Sequence, residues 1–230
     1  MLASIRDGEI KLAKGFRAAV HLCAMNAHLR TNGNYFRVLG VDPAAAGPTG
    51  YGVVETDGRD VRMVYYGALR PSAAGRKEGP GAGLREVYDR LSEIMEKFSP
   101  DAMAVESVFT ALNMKTALRL AEVRGVVLLA AAQRGVPLRS YSPREVKSCV
   151  AGYGQASKEQ MQIMIRAVLG MNETPEPSDA ADALAVAVCH LQAENARLRF
   201  ALPIDGIHSD TRAGAVRPTR AAVWRISLPR

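Results

Sequence analysis

RVLGVDPAAAGPTGYGVVETDGRDVRMVYYGAL, residues 37–69, is the stretch on which the fold turns. Three runs within it, Arg37–Asp42, Gly50–Glu55 and Val61–Leu69, are rich in β-branched, aromatic and small apolar residues. That composition suits pleated strands. Gly and Pro separate the first two runs, and Asp57-Gly58 separates the second from the third, all turn formers. The three runs therefore predict an antiparallel meander.

Downstream the pattern becomes α/β. Leu84, Val87, Leu91, Ile94, Met95 and Phe98 recur at helical spacing. DAMAVE, residues 101–106, reads as a short buried strand. ALNMKTALRLAEVRGVVLLAAAQ, residues 111–133, reads as a long apolar core helix that ends before Gly135 and Pro137. PLRSYS is the fifth strand. The loop VAGYGQAS then leads into KEQMQIMIRAVLG, with Ser157 and Gln160 in a capping-box pattern. A last helix opens at Pro177-Ser178, with Ser178 as its N-cap.

Four acids stand out on this frame. Asp42 ends the first strand and Glu106 ends the fourth, at the carboxyl edge of a sheet. Asp179 and Asp182 lie three residues apart, on one face of the last helix. Carboxylates gathered this way repel by roughly 1 kcal/mol per close pair even in water. Mg²⁺, which prefers oxygen ligands, is the simplest compensating charge, and two such ions favour in-line attack of water on a phosphodiester. First-turn acids are also common without function, because the helix dipole favours them.

Composition bounds the rest. With 230 residues, 48% of them hydrophobic, the chain has room for one full domain plus tails. No apolar run approaches the ~20 residues of a transmembrane helix, and no secretory signal is evident. Cys23, Cys149 and Cys189 lack CxxC spacing, which argues against a zinc site or disulfide framework and for a reducing cytoplasm. The four histidines are scattered and read as surface or packing residues.

The net charge of +7 sits entirely in the tails, +3 in residues 1–36 and +4 in residues 191–230. If the four acids face metal, the balanced middle presents +4 to phosphates. The division expected is a helical or disordered N-terminal extension (1–36), a nuclease domain (37–195) and a basic, flexible C-terminal tail (196–230). In the extension, residues 10–29 read as a basic helix broken by TNGN. Met25, close to the domain boundary, leaves a later start codon open.

Three strands, helix, strand, helix, strand and closing helices, with acids on strands one and four and on the last helix, match an RNase H-like layout: a five-stranded mixed sheet flanked by helices. The chain resembles the RuvC family of Holliday-junction resolvases over about residues 37–192. The resemblance rests on VLGVDP…TGYGVVE, AVESVF, NMKTALRLAEVRGV, REVKSCVAGYGQASKEQ and SDAADALAVAVCH, in that order.

It implies that Asp42, Glu106, Asp179 and Asp182 are catalytic and bind two Mg²⁺ ions, for which Mn²⁺ can substitute. The implied reaction is structure-selective cleavage of four-way junction DNA by paired symmetric nicks, leaving 5′-phosphate and 3′-hydroxyl ends. Phe109 matches an aromatic that the family inserts near the crossover, and stacking there is worth ~1–3 kcal/mol per base. Lys147 and Lys158 match basic positions near the DNA. Arg124 and Arg144 are further candidates for backbone contacts. A two-fold homodimer supplies two sites for two nicks, with the helix at 111–133 as part of its interface. The resemblance also implies bacterial cytoplasm and work with RuvA and RuvB.

One departure matters. The family follows its first Asp with Pro-Gly, whereas here Pro43 is followed by Ala44, and the loop to Gly50 carries one apparent extra residue. Gly47 is the expected substitute. No GxGxxG follows the first strand, which argues against dinucleotide binding. A sugar-kinase-type ATPase would need a second, duplicated domain. The remaining alternative is a RuvC-like protein that binds junctions without cutting them.

Overall fold

A computed structural model describes residues 3–6, 9–12, 35–45, 47–72, 79–107 and 113–201. An N-terminal hairpin pairs β1 (Ala3–Arg6) with β2 (Glu9–Leu12). The main sheet contains β3 (Phe36–Asp42), β4 (Thr49–Thr56), β5 (Val61–Leu69), β6 (Ala102–Glu106) and β7 (Leu138–Tyr141). Its order is β5-β4-β3-β6-β7, with β3–β4 and β4–β5 antiparallel and β3–β6 and β6–β7 parallel. The meander and the mixed five-stranded sheet are thus as the sequence indicates.

Helices cover both faces. α1 (Pro80–Phe98) and α2 (Met114–Gln133) lie on one, with Val87, Leu91, Val127 and Ala130 packed against Leu39, Val41, Met103 and Val105. On the other lie α3 (Pro143–Ala151), α4 (Lys158–Val168) and α5 (Ser178–Ala201), closing over Val38, Val54 and Ala104. Neighbouring strand residues point to opposite faces. Val38 and Gly40 therefore share the α5 side with Asp42, while Leu39 and Val41 face α1 and α2. The same alternation puts Ala104 and Glu106 on the α5 side of β6.

α5 approaches the sheet closely because the strands beneath it are bare. A Cβ on Gly40 would stand 2.1 Å from the Ala183 carbonyl oxygen, and one on Gly50 would stand 1.9 Å from that of Asp179. A Cβ on Gly52 would meet Leu184 at 2.7 Å. Alanines supply the matching surface of the helix: Ala180, Ala181, Ala183, Ala185 and Ala187 are buried, with Leu184 and Leu191 fully enclosed.

Several local expectations need correction. Ile10–Leu12 belong to a strand, not to a helix; β-branched Ile5 and Ile10 pair across a hairpin whose sequence connection is Asp7-Gly8, a favoured one. The rest of the expected helix lies outside the described residues. α2 is not a core helix throughout: Val127, Ala130 and Ala131 are buried, but Met114, Leu118, Leu128 and Leu129 are exposed. α3 was not anticipated, although Ser142 and Glu145 form a complete capping box, with the Ser142 N–H donating to Glu145 at 2.7 Å. The expected box at Ser157 and Gln160 is present. α5 begins at Ser178 itself; the Pro177 carbonyl accepts from the N–H groups of Ala180 and Ala181, so Pro177 holds the cap position. The helix runs to Ala201. No helix among the described residues is long and apolar enough to cross a membrane.

Candidate active site

The four acids converge where β3, β6 and α5 meet. Val41 and Val105 are register partners in the parallel pair, so Asp42 and Glu106, one residue further on, emerge side by side. Asp42 is also the partner of Gly50 across β3–β4. Since Gly50 lies against the backbone of Asp179, one missing side chain brings the first turn of α5 down beside Asp42. Asp182 follows three residues on, on the same side of the helix.

Electrostatics confirm the proximity. Burial pushes the Asp42 carboxyl up to about 8, and the charges of Glu106, Asp182 and Asp179 push the same way. Asp42 therefore keeps its proton near neutrality and donates it to the Glu106 carboxylate. Burial raises Glu106 above the ordinary carboxylate range, and Asp182 adds to this. The Asp42 hydrogen bond and the charges of Lys147 and Lys158 oppose the shift. Lys158 Nζ lies 3.1 Å from Asp182 Oδ2. Burial lowers the proton affinity of Lys158, but Asp182, Asp179 and Asp42 together carry it above the usual lysine value.

Of the expected DNA-binding residues, Lys147 and Lys158 therefore reach the acidic cluster. Arg124 donates to Ser140 Oγ on β7 at 2.6 Å, so its guanidinium is engaged within the fold. Arg144 is exposed on α3 and packs against Gly154, where an added Cβ would stand 2.5 Å from its Cγ. Phe109 lies outside the described residues. Residue-type reasoning missed Gly50 as the positioning element; the signal was present in TGYG opposite VLGVD. It also missed the buried pair beneath β7, where the Tyr141 hydroxyl and His190 Nδ1 are 2.8 Å apart. Burial lowers His190 and raises Tyr141 to about 12, so this is a neutral packing pair, in keeping with a structural histidine.

The donor set suits a hard divalent cation: four carboxylates, all oxygen. Among the described residues no three such side chains stand in a ready-made metal arrangement. A shared proton on Asp42 and Glu106 and the Lys158 ammonium beside Asp182 offset the charge in this state.

A mixed sheet with acids at the carboxyl edge of two adjacent parallel strands, and two more on the helix lying across them, defines an RNase H-like fold. The family described as "Crossover junction endodeoxyribonuclease RuvC" matches residues 38–190. A protein of that name from Moorella thermoacetica is 48% identical over 153 residues, 66% of this chain and 89% of the relative. One from Chloroflexus aggregans is 47% identical over 165 residues, 71% of this chain and 98% of the relative. Among solved structures, T. thermophilus RuvC in complex with Holliday junction substrate is 34% identical with a TM-score of 0.65. That match covers 70% of this chain and 96% of the other. A second Thermus thermophilus RuvC structure gives a TM-score of 0.61 at 34% identity, covering 71% and 97%. The chain belongs to the RuvC family, a family of metal-dependent nucleases.

Proposed function

We propose that this chain resolves four-way DNA junctions by metal-dependent hydrolysis of two symmetrically placed phosphodiesters. The observation that carries the reading is the gathering of Asp42, Glu106, Asp179 and Asp182 at one sheet edge, flanked by Lys147 and Lys158. Asp42 and Glu106 on the strands and Asp179 and Asp182 on the helix would hold two Mg²⁺ ions, or Mn²⁺ in their place. Such ions supply, when bound, an activated water and charge stabilisation at the leaving 3′ oxygen. For the chain's own residues, Asp42 must release the proton it shares with Glu106 for both to act as ligands. Lys158 steadies Asp182 and, with Lys147, offers positive charge to the scissile phosphate. The products are ligatable nicks with 5′-phosphate and 3′-hydroxyl ends.

Two nicks of like polarity call for two sites, and a two-fold homodimer provides them. The exposed apolar side chains of α2 support its place in that interface. The catalytic unit is residues 37–195, with 1–36 and 196–230 as appendages. RuvA and RuvB are the partners and the bacterial cytoplasm the setting that family membership favours. The altered loop after Asp42 keeps one rival in play, a protein that binds junctions without cutting.

The test is cleavage of a synthetic four-way junction against linear duplex, with and without Mg²⁺, by the intact chain and by Asp42→Asn. Symmetric junction nicks that vanish with the substitution and with the metal support the resolvase. Tight binding without nicks in Mg²⁺ or Mn²⁺ supports the rival, and neither binding nor cutting refutes both.

A further inference from the structure

Beside the catalytic cluster runs a groove of about 610 Å³. One wall is the loop after Asp42, through Ala45 and Gly47; the others are the end of β5, the start of α1 and the second turn of α2. The groove and the catalytic site share a border, because a Cβ on Gly47 would stand 3.9 Å from Asp179 Oδ1. Its volume suits a group about the size of a nucleotide.

Among the described residues, its charged lining consists of Arg70, Arg119 and Glu122. Arg70 stands at the end of β5 and Arg119 on α2, so two separate elements each contribute an arginine to one depression. All three side chains are exposed. The acid of α1 nearest in sequence to Arg70's wall, Glu86, is committed elsewhere, accepting from the Ser72 N–H and hydroxyl at 2.6 Å each. The start of α1 also lines the groove: among the described residues, nothing lies within 4 Å of where a Cβ on Gly79 would be. Guanidinium groups exposed in a concave site suit phosphate oxygens, which they bind in a fork.

We propose that this groove seats the sugar-phosphate backbone of a DNA strand next to the scissile position, with Arg70 and Arg119 on its phosphates. Glu122 weakens the hold and so favours release of the nicked product. The proposal rests on the junction-cleaving reading and adds a strand path to it. Neither arginine touches the reacting atoms; both bind substrate.

The test uses the full chain carrying Asp42→Asn, so that binding is read without cutting. Affinity for a synthetic four-way junction is measured between about 50 and 200 mM NaCl in Mg²⁺, alone and with Arg70→Ala, Arg119→Ala or Glu122→Gln added. Removing one arginine from a DNA phosphate makes the fall of log affinity with log salt shallower by about 1. Each arginine variant is therefore expected to show that change and about tenfold weaker binding at the low-salt end. Glu122→Gln is expected to bind a few-fold tighter, a gain that misfolding does not produce. Unchanged slopes in both arginine variants, with Glu122→Gln neutral, overturn the groove while the parent's binding leaves the junction reading standing. A parent that binds no junction at any salt takes both down.

Discussion

α2 and α5 are both long, both rich in alanine and valine, and they flank opposite faces of the same sheet. α5 is buried over most of its length, whereas α2 buries Val127, Ala130 and Ala131 and leaves Leu118 and Leu129 more than half exposed. The difference arises in the strands, not in the helices. Beneath α5, Gly40, Gly50 and Gly52 remove three side chains and let helix backbone lie on strand backbone. Beneath α2 the sheet presents Leu39, Val41, Met103 and Val105, which hold the helix at side-chain distance. The close face is the one that gathers the four acids, because only there can acids on a helix and acids on strands reach one another.

The largest effect should follow from filling that close face. Gly50→Val puts a branched side chain into the Asp179 backbone, which cannot move aside as a flexible tip would. Overpacking of this kind is expected to cost about 3 kcal/mol or more and to push the first turn of α5 away from Asp42. A displacement near 1 Å at the site is worth about 10²-fold in rate. Thermal unfolding and junction cleavage both read it, and a variant with normal activity would break the account of how the site is assembled.

Asp42→Asn separates function from stability. Cleavage should fall by more than a hundredfold, the equivalent of about 3 kcal/mol at the transition state. In metal-free buffer the variant should be the more stable protein at neutral pH, by about 1 kcal/mol or more. Asp42 has a folded-state pKa of about 8, raised from an ordinary value near 3.8. The folded state therefore holds the proton more tightly, and stability falls as pH rises from about 4 to about 8. The Asn variant lacks that fall, so a stability–pH curve equal to that of the parent would contradict the site's electrostatics.

On the far face the effects are smaller and position-dependent. Val127→Ala, fully buried, is expected to cost about 2 kcal/mol. Leu129→Gln on the same helix should stay within about 0.5 kcal/mol while weakening self-association in sedimentation, if this exposed face carries the dimer contact. Equal costs for the two would erase the distinction between the helices.

A modest effect, tied to pH, belongs to Glu55, on β4 five residues from Gly50. Burial raises its carboxyl, but hydrogen bonds from Arg37 at 2.7 Å and Arg62 at 2.8 Å outweigh this and set it below the ordinary value. Its contribution is therefore present above about pH 4.5 and lost as pH falls through the depressed folded value, opposite in sign to Asp42. Arg62 is half exposed, so Glu55→Gln should cost about 1 kcal/mol at pH 7, and less at pH 3.

Strand periodicity, turn residues and the capping box at Ser157 made the meander, the sheet and α4 legible in the chain itself. The four acids were legible too, because each ends a strand or opens a helix in a recognisable run. α3 was hidden by a short loop-like stretch that masks its Ser142–Glu145 box, and the N-terminal hairpin by a basic composition that also suits a helix. The mistaken burial of α2 had a deeper cause, since apolar content says how much surface a helix would hide and not what lies opposite it.

What the sequence by itself determined is the order of elements and the face of each strand on which an acid emerges, since both follow from local periodicity. Tertiary structure alone decided that α5 sinks onto the glycines of β3 and β4 while α2 stands off. It also decided that Asp42 shares a proton with Glu106 and that Lys158 pairs with Asp182. These depend on distances between segments far apart in the chain, which close packing sets and no local pattern encodes.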